Sequence, residues 1–97
     1  MATFRCAAEL SRAHVGKPVQ FLVWDNDNGN LVAVHTVLAE LGHTRTAVMV
    51  TYGKPRTITT ELDPRAIVVV DPAPGRYYME ELVNRNLRFA PRPATTD

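Results

Sequence analysis

The chain carries few side chains that could act in catalysis. Ser11 is its one serine, and with His14 three residues later and Glu9 nearby it forms the only arrangement that suggests a nucleophile beside a base. The same spacing is typical of a short helix whose first turn is capped by a serine side chain. We therefore interpret Ser11 as a capping residue, predict no catalytic residue and expect a protein that is not an enzyme.

Two aspartates in an asparagine-rich loop suggest calcium, but the pattern fails. Asp25 and Asp27 have the spacing of the first ligands of a calcium loop. Asn30 stands where that loop requires glycine, and Thr36 stands where it requires a bidentate glutamate. The Asn28-Gly29 pair instead predicts a tight hairpin turn, because both residues readily adopt positive φ angles.

The remaining metal-ligating residues are scattered. His35 and His43 are eight residues apart, with Glu40 as the one carboxylate near them, so we interpret them as solvent-facing side chains of a strand. Cys6 is the only cysteine, which excludes an intramolecular disulfide and a cysteine-based zinc cluster within one chain. We predict no metal site and no cofactor.

Basic residues are concentrated in the middle of the chain. No acidic residue lies between His43 and Thr60, whereas three cations do. If Arg45 and Arg56 pair across a hairpin, they form one basic strand edge suited to phosphate contacts and base stacking. The candidate nucleic-acid site then comprises Arg45, Tyr52, Lys54 and Arg56. The alternative, which we favour, is that these cations protect an exposed strand edge against aggregation.

A second group of residues suggests a protein interface. Aromatic and arginine side chains are frequent anchors of protein contacts, although in so small a domain they are often part of the core. The candidate interface residues are Trp24, Tyr77, Tyr78, Leu82 and Arg85.

Composition limits the class of protein. The 97 residues are sufficient for one compact domain, and 45% apolar with 22% charged residues is typical of a globular chain. The net charge of +1 is too small to indicate a polyanionic partner. No apolar segment approaches the length of a membrane span, so we predict no membrane contact and a cytoplasmic location, that of the host cell if a phage encodes the protein.

The chain is rich in β-branched residues, with twelve valines and ten threonines, which favours a mostly β domain. We predict a helical turn within Ala7–His14 and a helix over Arg76–Arg88. Predicted strands are Thr3–Cys6, Val19–Trp24, Thr44–Tyr52, Arg56–Leu62 and Ala66–Val70. Residues 31–41 have helical spacing of leucines but many valines and a preceding hairpin turn, so strand is favoured over helix by a modest margin.

Two stretches of the sequence resemble a known fold. Glu61-Leu62-Asp63-Pro64 followed by the apolar Ile67–Val70 resembles the end of Sm-like and Src-homology-type small β-barrels. The run Ala8-Glu9-Leu10 with His14-Val15-Gly16 looks like that of short uncharacterised barrel proteins of actinobacterial phages and prophages. This resemblance covers residues 7–71 and implies a fold, not a reaction. The Sm-type nucleotide-contact motifs cannot be placed, so no binding site is implied.

The predicted architecture is mainly β. We expect a five-stranded Sm-like or Src-homology-like barrel over residues 1–71, a linker and C-terminal helix over 72–90, and a flexible tail over 91–97. The expected function is that of a non-catalytic, phage- or prophage-encoded module that binds a protein partner or itself as an adaptor or modulator. The alternatives are nucleic-acid binding through the basic edge and sequestration of a small anionic ligand.

Overall fold

The computed structural model describes residues 2–25 and 29–86, with the side chains of residues 24 and 25 outside the described part. Six strands form one open antiparallel sheet in the order β1-β6-β2-β3-β4-β5. The strands are β1 (Thr3–Cys6), β2 (Pro18–Asp25), β3 (Asn30–His43), β4 (Val48–Tyr52), β5 (Ile58–Leu62) and β6 (Ile67–Val70). Two short 3₁₀ turns at Ala7–Glu9 and Arg12–His14 confirm the predicted helical turn, and one helix, α1, spans Met79–Asn86.

The sheet is not the predicted five-stranded barrel. It has six strands, and within the described residues β1 pairs only with β6 and β5 only with β4, so no ladder closes it. The sheet stays open because the chain leaves the strand direction directly after β1 and enters the first 3₁₀ turn. There the N–H groups of Ala7 and Ala8 donate to the carbonyl oxygens of Ala66 and Pro64, at 2.7 and 2.9 Å. This contact holds the turn between β5 and β6, and no described strand lies along the second edge of β5.

Residues 31–41 form a strand, as the valines and the hairpin signal favoured. They belong to β3, which is fourteen residues long and carries two partners in succession. Residues 30–37 pair with β2, from Asp25 opposite Asn30 to Pro18 opposite Val37. Residues 38–43 pair with β4, and a register shift between Leu38 and Glu40 marks the change of partner.

Two predicted strands begin two or more residues later than expected, and β6 begins at Ile67, one residue after the predicted Ala66. Thr44 starts a tight turn, because its Oγ1 accepts hydrogen bonds from the N–H groups of Thr46 and Ala47, so β4 begins at Val48. The next turn contains Gly53 at φ +102°, where a Cβ atom would lie 2.7 Å from the carbonyl oxygen of Arg56. Strand β5 therefore begins at Ile58 rather than at Arg56.

The turn between β5 and β6 is held by one aspartate. Asp63 Oδ1 accepts a hydrogen bond from the N–H of Arg65 at 2.8 Å, and both carboxylate oxygens accept from the Arg65 guanidinium. The side-chain hydrogen bond from Arg65 is the main reason that the pKa of Asp63 lies below its ordinary value.

The sheet has an apolar cluster on each face. On one face it bends around the larger cluster, in which the rings of Phe21 and Tyr52 meet edge to face with centroids 5.3 Å apart. On the other face α1 packs over β2 and β6, and Leu22 and Val69 contact Tyr78 and Leu82 there. The helix begins at Met79 rather than at Arg76, and its predicted end at Arg88 lies outside the described residues.

Two buried amides tie α1 to the sheet. At its end, Asn86 Oδ1 accepts from the N–H of Ile67 at 2.7 Å, and Asn86 Nδ2 donates to the carbonyl oxygens of Leu82 and Ile67. At its start, Gln20 of β2 is 1% exposed, and its Oε1 accepts from the N–H of Tyr78 at 2.9 Å. These amides satisfy backbone groups that the interior would otherwise leave without partners.

Gln20 also makes two further hydrogen bonds. Its Nε2 donates to the carbonyl oxygen of Arg76 at 2.8 Å and lies 2.9 Å from Nδ1 of His35 on the neighbouring strand. Because Nε2 is the donor, Nδ1 of His35 is the acceptor. Three groups from the linker and β3 are thus joined through one buried side chain, which we call the Gln20 clasp.

Gln20→Leu keeps the side chain similar in size but leaves the Tyr78 N–H and the Arg76 carbonyl without their buried partner. We expect a loss of about 2 kcal/mol in the free energy of unfolding and faster hydrogen exchange at the Tyr78 amide. Thr51→Val is the matched control, because it removes one hydroxyl, bonded to Thr59 at 2.9 Å, far from the linker. Equal exchange rates at Tyr78 in the two variants would contradict the clasp.

Leu82→Ala tests how firmly α1 is docked. Leu82 is fully buried between the helix and the sheet, so its truncation leaves a cavity, and we expect the free energy of unfolding in urea to fall by about 3 kcal/mol. Met79→Ala, at an exposed position of the same helix, is expected to cost less than about 1 kcal/mol. A loss at Leu82 no greater than that at Met79 would mean that the helix does not depend on this contact.

Candidate interaction surface on strand β3

The serine–histidine pair forms a helix cap. Ser11 Oγ accepts from the N–H of Ala13 at 3.3 Å, and the N–H of Ser11 donates to Nδ1 of His14 at 2.8 Å. The Ser11 hydroxyl is 3.5 Å from the same nitrogen, which is already an acceptor for the backbone. The side chains therefore close the second 3₁₀ turn in the way the sequence indicated.

The structure does not bring the four candidate nucleic-acid-binding residues together. Arg45 precedes β4, whereas Lys54 and Arg56 follow it. The five residues of β4 separate these two ends by about 13 Å at the usual rise per residue. Tyr52 is buried, and its hydroxyl lies 3.0 Å from Thr60 Oγ1, so its ring has no free face for stacking on a base. Arg45 and Arg56 thus do not form one edge.

The candidate interface residues separate into buried and exposed groups. Tyr78 and Leu82 belong to the cluster beneath α1. The Arg85 guanidinium lies over the ring of Phe4, 4.3 Å from its centroid. Arg85 is nevertheless exposed, and Tyr77 is the exposed aromatic residue of the set, at 69% exposure. The side chain of Trp24 lies outside the described residues.

Tyr77 lies next to β3. Its ring meets that of His35 edge to face, with centroids 5.3 Å apart. Val37 follows His35 by two residues, on the same face of the strand, and is 53% exposed. An aromatic, an imidazole and an apolar side chain therefore face solvent together beside the first half of β3.

The directions of the backbone groups of β3 follow from the hydrogen bonds at Leu38. Its carbonyl oxygen accepts from the N–H of Gly16 at 2.7 Å, and its N–H donates to the carbonyl oxygen of Lys17 at 3.1 Å. Both groups of Leu38 thus point to the β2 side. Successive residues of a strand direct these groups to alternate sides. The N–H and C=O groups that point to the opposite side are those of Leu31, Ala33, His35 and Val37.

No strand among the described residues takes up that opposite side. β4 pairs with β3 from Leu38 onward and does not reach the preceding residues. Leu31–Val37, which we call the β3 edge segment, therefore has β2 on one side and an open row of donors and acceptors on the other. Such a row is a template for another strand.

The β3 edge segment differs in charge from the other strand edges without a partner. Its seven residues include no charged residue, no proline and no glycine. Three other open edges are each at most five residues long. They belong to β1, to β5 and to the part of β2 that extends beyond its pairing with β6. These shorter edges carry Arg5, Glu61 and Asp25 respectively. Charge and short length discourage strand pairing, so the β3 edge segment is the least protected of them.

A groove of about 590 Å³ lies at the C-terminal end of this segment. Its lining includes the apolar side chains of Val15 and Val37 and, from the β4–β5 turn, Lys54. Lys54 forms no ion pair within the described part of the chain, whereas Lys17 nearby is paired with Asp71 at 3.3 Å. The groove thus offers apolar contacts and one available positive charge.

The sequence contains a signal for this surface that its strand-or-helix pattern alone does not bring out. Residues 31–37 are apolar and rich in β-branched side chains. An uncharged run of this kind also indicates an edge without protection. Which of its sides is open depends on where β4 begins to pair, and local sequence does not give that register.

Within the described residues, no helix is long and apolar enough to cross a bilayer, and no group of three or more His, Cys, Asp or Glu residues could hold a metal ion. Comparison of the chain with protein-family models, curated proteins and solved structures finds no match. The resemblance to Sm-like and Src-homology-type proteins and the phage origin therefore remain predictions.

Proposed function

We propose that this chain is a non-catalytic interaction module that binds a partner protein by strand addition to the β3 edge segment. The observation that carries the proposal is the open, uncharged row of backbone groups from Leu31 to Val37. Main-chain hydrogen bonds to such an edge supply affinity, and contacts of alternate side chains supply specificity. The module acts as an adaptor, which holds its partner by hydrogen bonds and side-chain contacts and does not change it chemically.

The edge segment defines the chemistry of the bound strand. On the face covered by α1 elsewhere, Leu31 and Val37 favour apolar partners. On the face that bends around the larger cluster, Val32 and Val34 favour β-branched partners. Lys54 in the lining of the groove favours an acidic residue at that end of the bound strand. The expected ligand is an extended, mostly apolar segment with a carboxylate at that end.

An eight-residue peptide, glutamate followed by seven residues of alternating valine and threonine, is the probe for this surface, because an antiparallel strand places its N-terminal residue beside Lys54. We expect saturable changes in the amide NMR signals of Ala33, His35 and Val37, whose N–H groups face the open side. Val37→Lys is expected to weaken peptide binding about fivefold, because it replaces an apolar cross-strand contact.

Ile58→Lys is the matched control for Val37→Lys. Ile58 is 55% exposed, close to the 53% of Val37, and it lies on β5, away from the edge segment. The control is expected to bind the peptide as the unsubstituted chain does. Equal losses in both variants, or signal changes confined to residues outside 31–37, would contradict strand addition at β3.

A further inference from the structure

We infer that a second copy of this chain supplies the strand that pairs with the β3 edge segment, in an antiparallel dimer whose two-fold axis passes beside Val34. The inference rests on the proposed function and names the partner of the same surface. In a two-fold dimer the same patch is used by both copies, so the edge segment must be complementary to itself.

The backbone of the edge segment meets that condition. The outward-facing residues are Leu31, Ala33, His35 and Val37, spaced symmetrically about Val34. With the axis beside Val34, Leu31 lies opposite Val37 of the second copy, and Ala33 lies opposite His35. Each of these pairs can exchange two hydrogen bonds in an antiparallel ladder. This is the one antiparallel register that engages all four outward-facing residues of each copy.

The side chains of the edge segment are also compatible in this register. On the face that carries α1, the exposed Val37 lies opposite Leu31 of the second copy, which is an apolar pair. On the other face, the exposed Val32 lies opposite Thr36, and the two Val34 side chains meet at the axis. No charged residue lies in the ladder, so pairing brings no like charges together. Val32 and Val37, two of the exposed large apolar side chains, both lose water contact.

The ends of the ladder are accommodated by the groove. Beyond Val37, the open side of β3 is taken up by β4, so the strand of the second copy must turn away there. The groove of about 590 Å³ beside Thr36, Val37 and Gly53 provides space at that point. The second copy's Asn30 arrives at this end, opposite its own Asp25. The residue that arrives beside the groove is thus polar and uncharged, so it brings no like charge to Lys54.

The first test is the molar mass as a function of concentration. We expect sedimentation equilibrium to show a rise from the 10.8 kDa of one chain toward twice that value as the concentration increases. A ladder of seven residues is a small interface, so the midpoint is expected in the range of about 1–100 µM. Val37→Lys is expected to raise the dissociation constant at least about tenfold, since the dimer contains this contact twice, whereas Ile58→Lys leaves it unchanged.

The second test measures the register. In a Cys6→Ser background, Val34→Cys places two thiols beside the two-fold axis, at a pair where Cα atoms lie about 4.5 Å apart. That distance permits a disulfide, so oxidation by glutathione disulfide, which is reduced to two glutathione thiols, is expected to give a covalent dimer. Val32→Cys is the matched control, because the two copies of residue 32 lie four residues apart along the ladder, about 13 Å. Circular dichroism of both variants establishes that they are folded.

The outcomes separate this inference from the proposed function. A chain that stays monomeric at about 1 mM, with no cross-link at Val34→Cys, overturns the dimer. If the valine–threonine peptide still shifts the amides of Ala33, His35 and Val37, strand addition stands and the second copy is not the partner. A dimer that Ile58→Lys dissociates, or that cross-links at Val32→Cys and not at Val34→Cys, also overturns the inference, because its interface or register is a different one.

Discussion

Strand β3 is longer than either of its neighbours, and the rest of the architecture follows from how it is shared between them. Its first eight residues pair with β2 and its last six with β4, with an irregular step at Leu38–Glu40. The step bends the strand, so that the sheet curves around one apolar cluster and leaves its other face to α1.

A strand with one partner per half necessarily has one open side per half. In the second half the segment from Leu10 to Val15 lies along that side, where His43 Nε2 is 3.0 Å from the carbonyl oxygen of Leu10. In the first half no strand among residues 2–25 and 29–86 takes up the open side.

The two apolar clusters are covered in different ways, the larger by the bent sheet itself and the smaller by α1. The larger cluster needs only alternating apolar residues, which the valines of β2, β4 and β6 supply. The smaller cluster lies beneath a helix of eight residues, and a helix this short has little stability in water on its own. Buried amides at both of its ends compensate for this, because Gln20 and Asn86 satisfy backbone groups of the linker and of β6. The cost is that two polar side chains are placed where an apolar residue would be simpler to bury.

Local patterns in the sequence predicted the elements better than their arrangement. The strand at Val19–Trp24 and the helix after the proline-rich linker were found because apolar spacing and turn residues act over a few positions. The starts of β4 and β5 were missed because Thr44 and Gly53 form turns through contacts that spacing alone does not reveal. The predicted closure into a barrel was wrong, because closure depends on which segment lies beside β5. Residues 7 and 8 contact the turn after β5, although that turn is more than fifty positions away along the chain. The burial of Tyr52 is likewise a consequence of register, which no single segment encodes.

The Gln20 clasp has a consequence for the strand edge itself. His35 belongs to the open row of the β3 edge segment, and its ring is held between the Gln20 amide and the Tyr77 ring. Gln20 is in turn fixed by the linker that leads into α1. The middle of the edge is therefore preorganised: its conformation is set when the helix docks, before any partner arrives. A strand that binds there loses its own conformational freedom but does not have to order the surface that receives it. Docking of α1 therefore also fixes the conformation of the middle of the β3 edge segment.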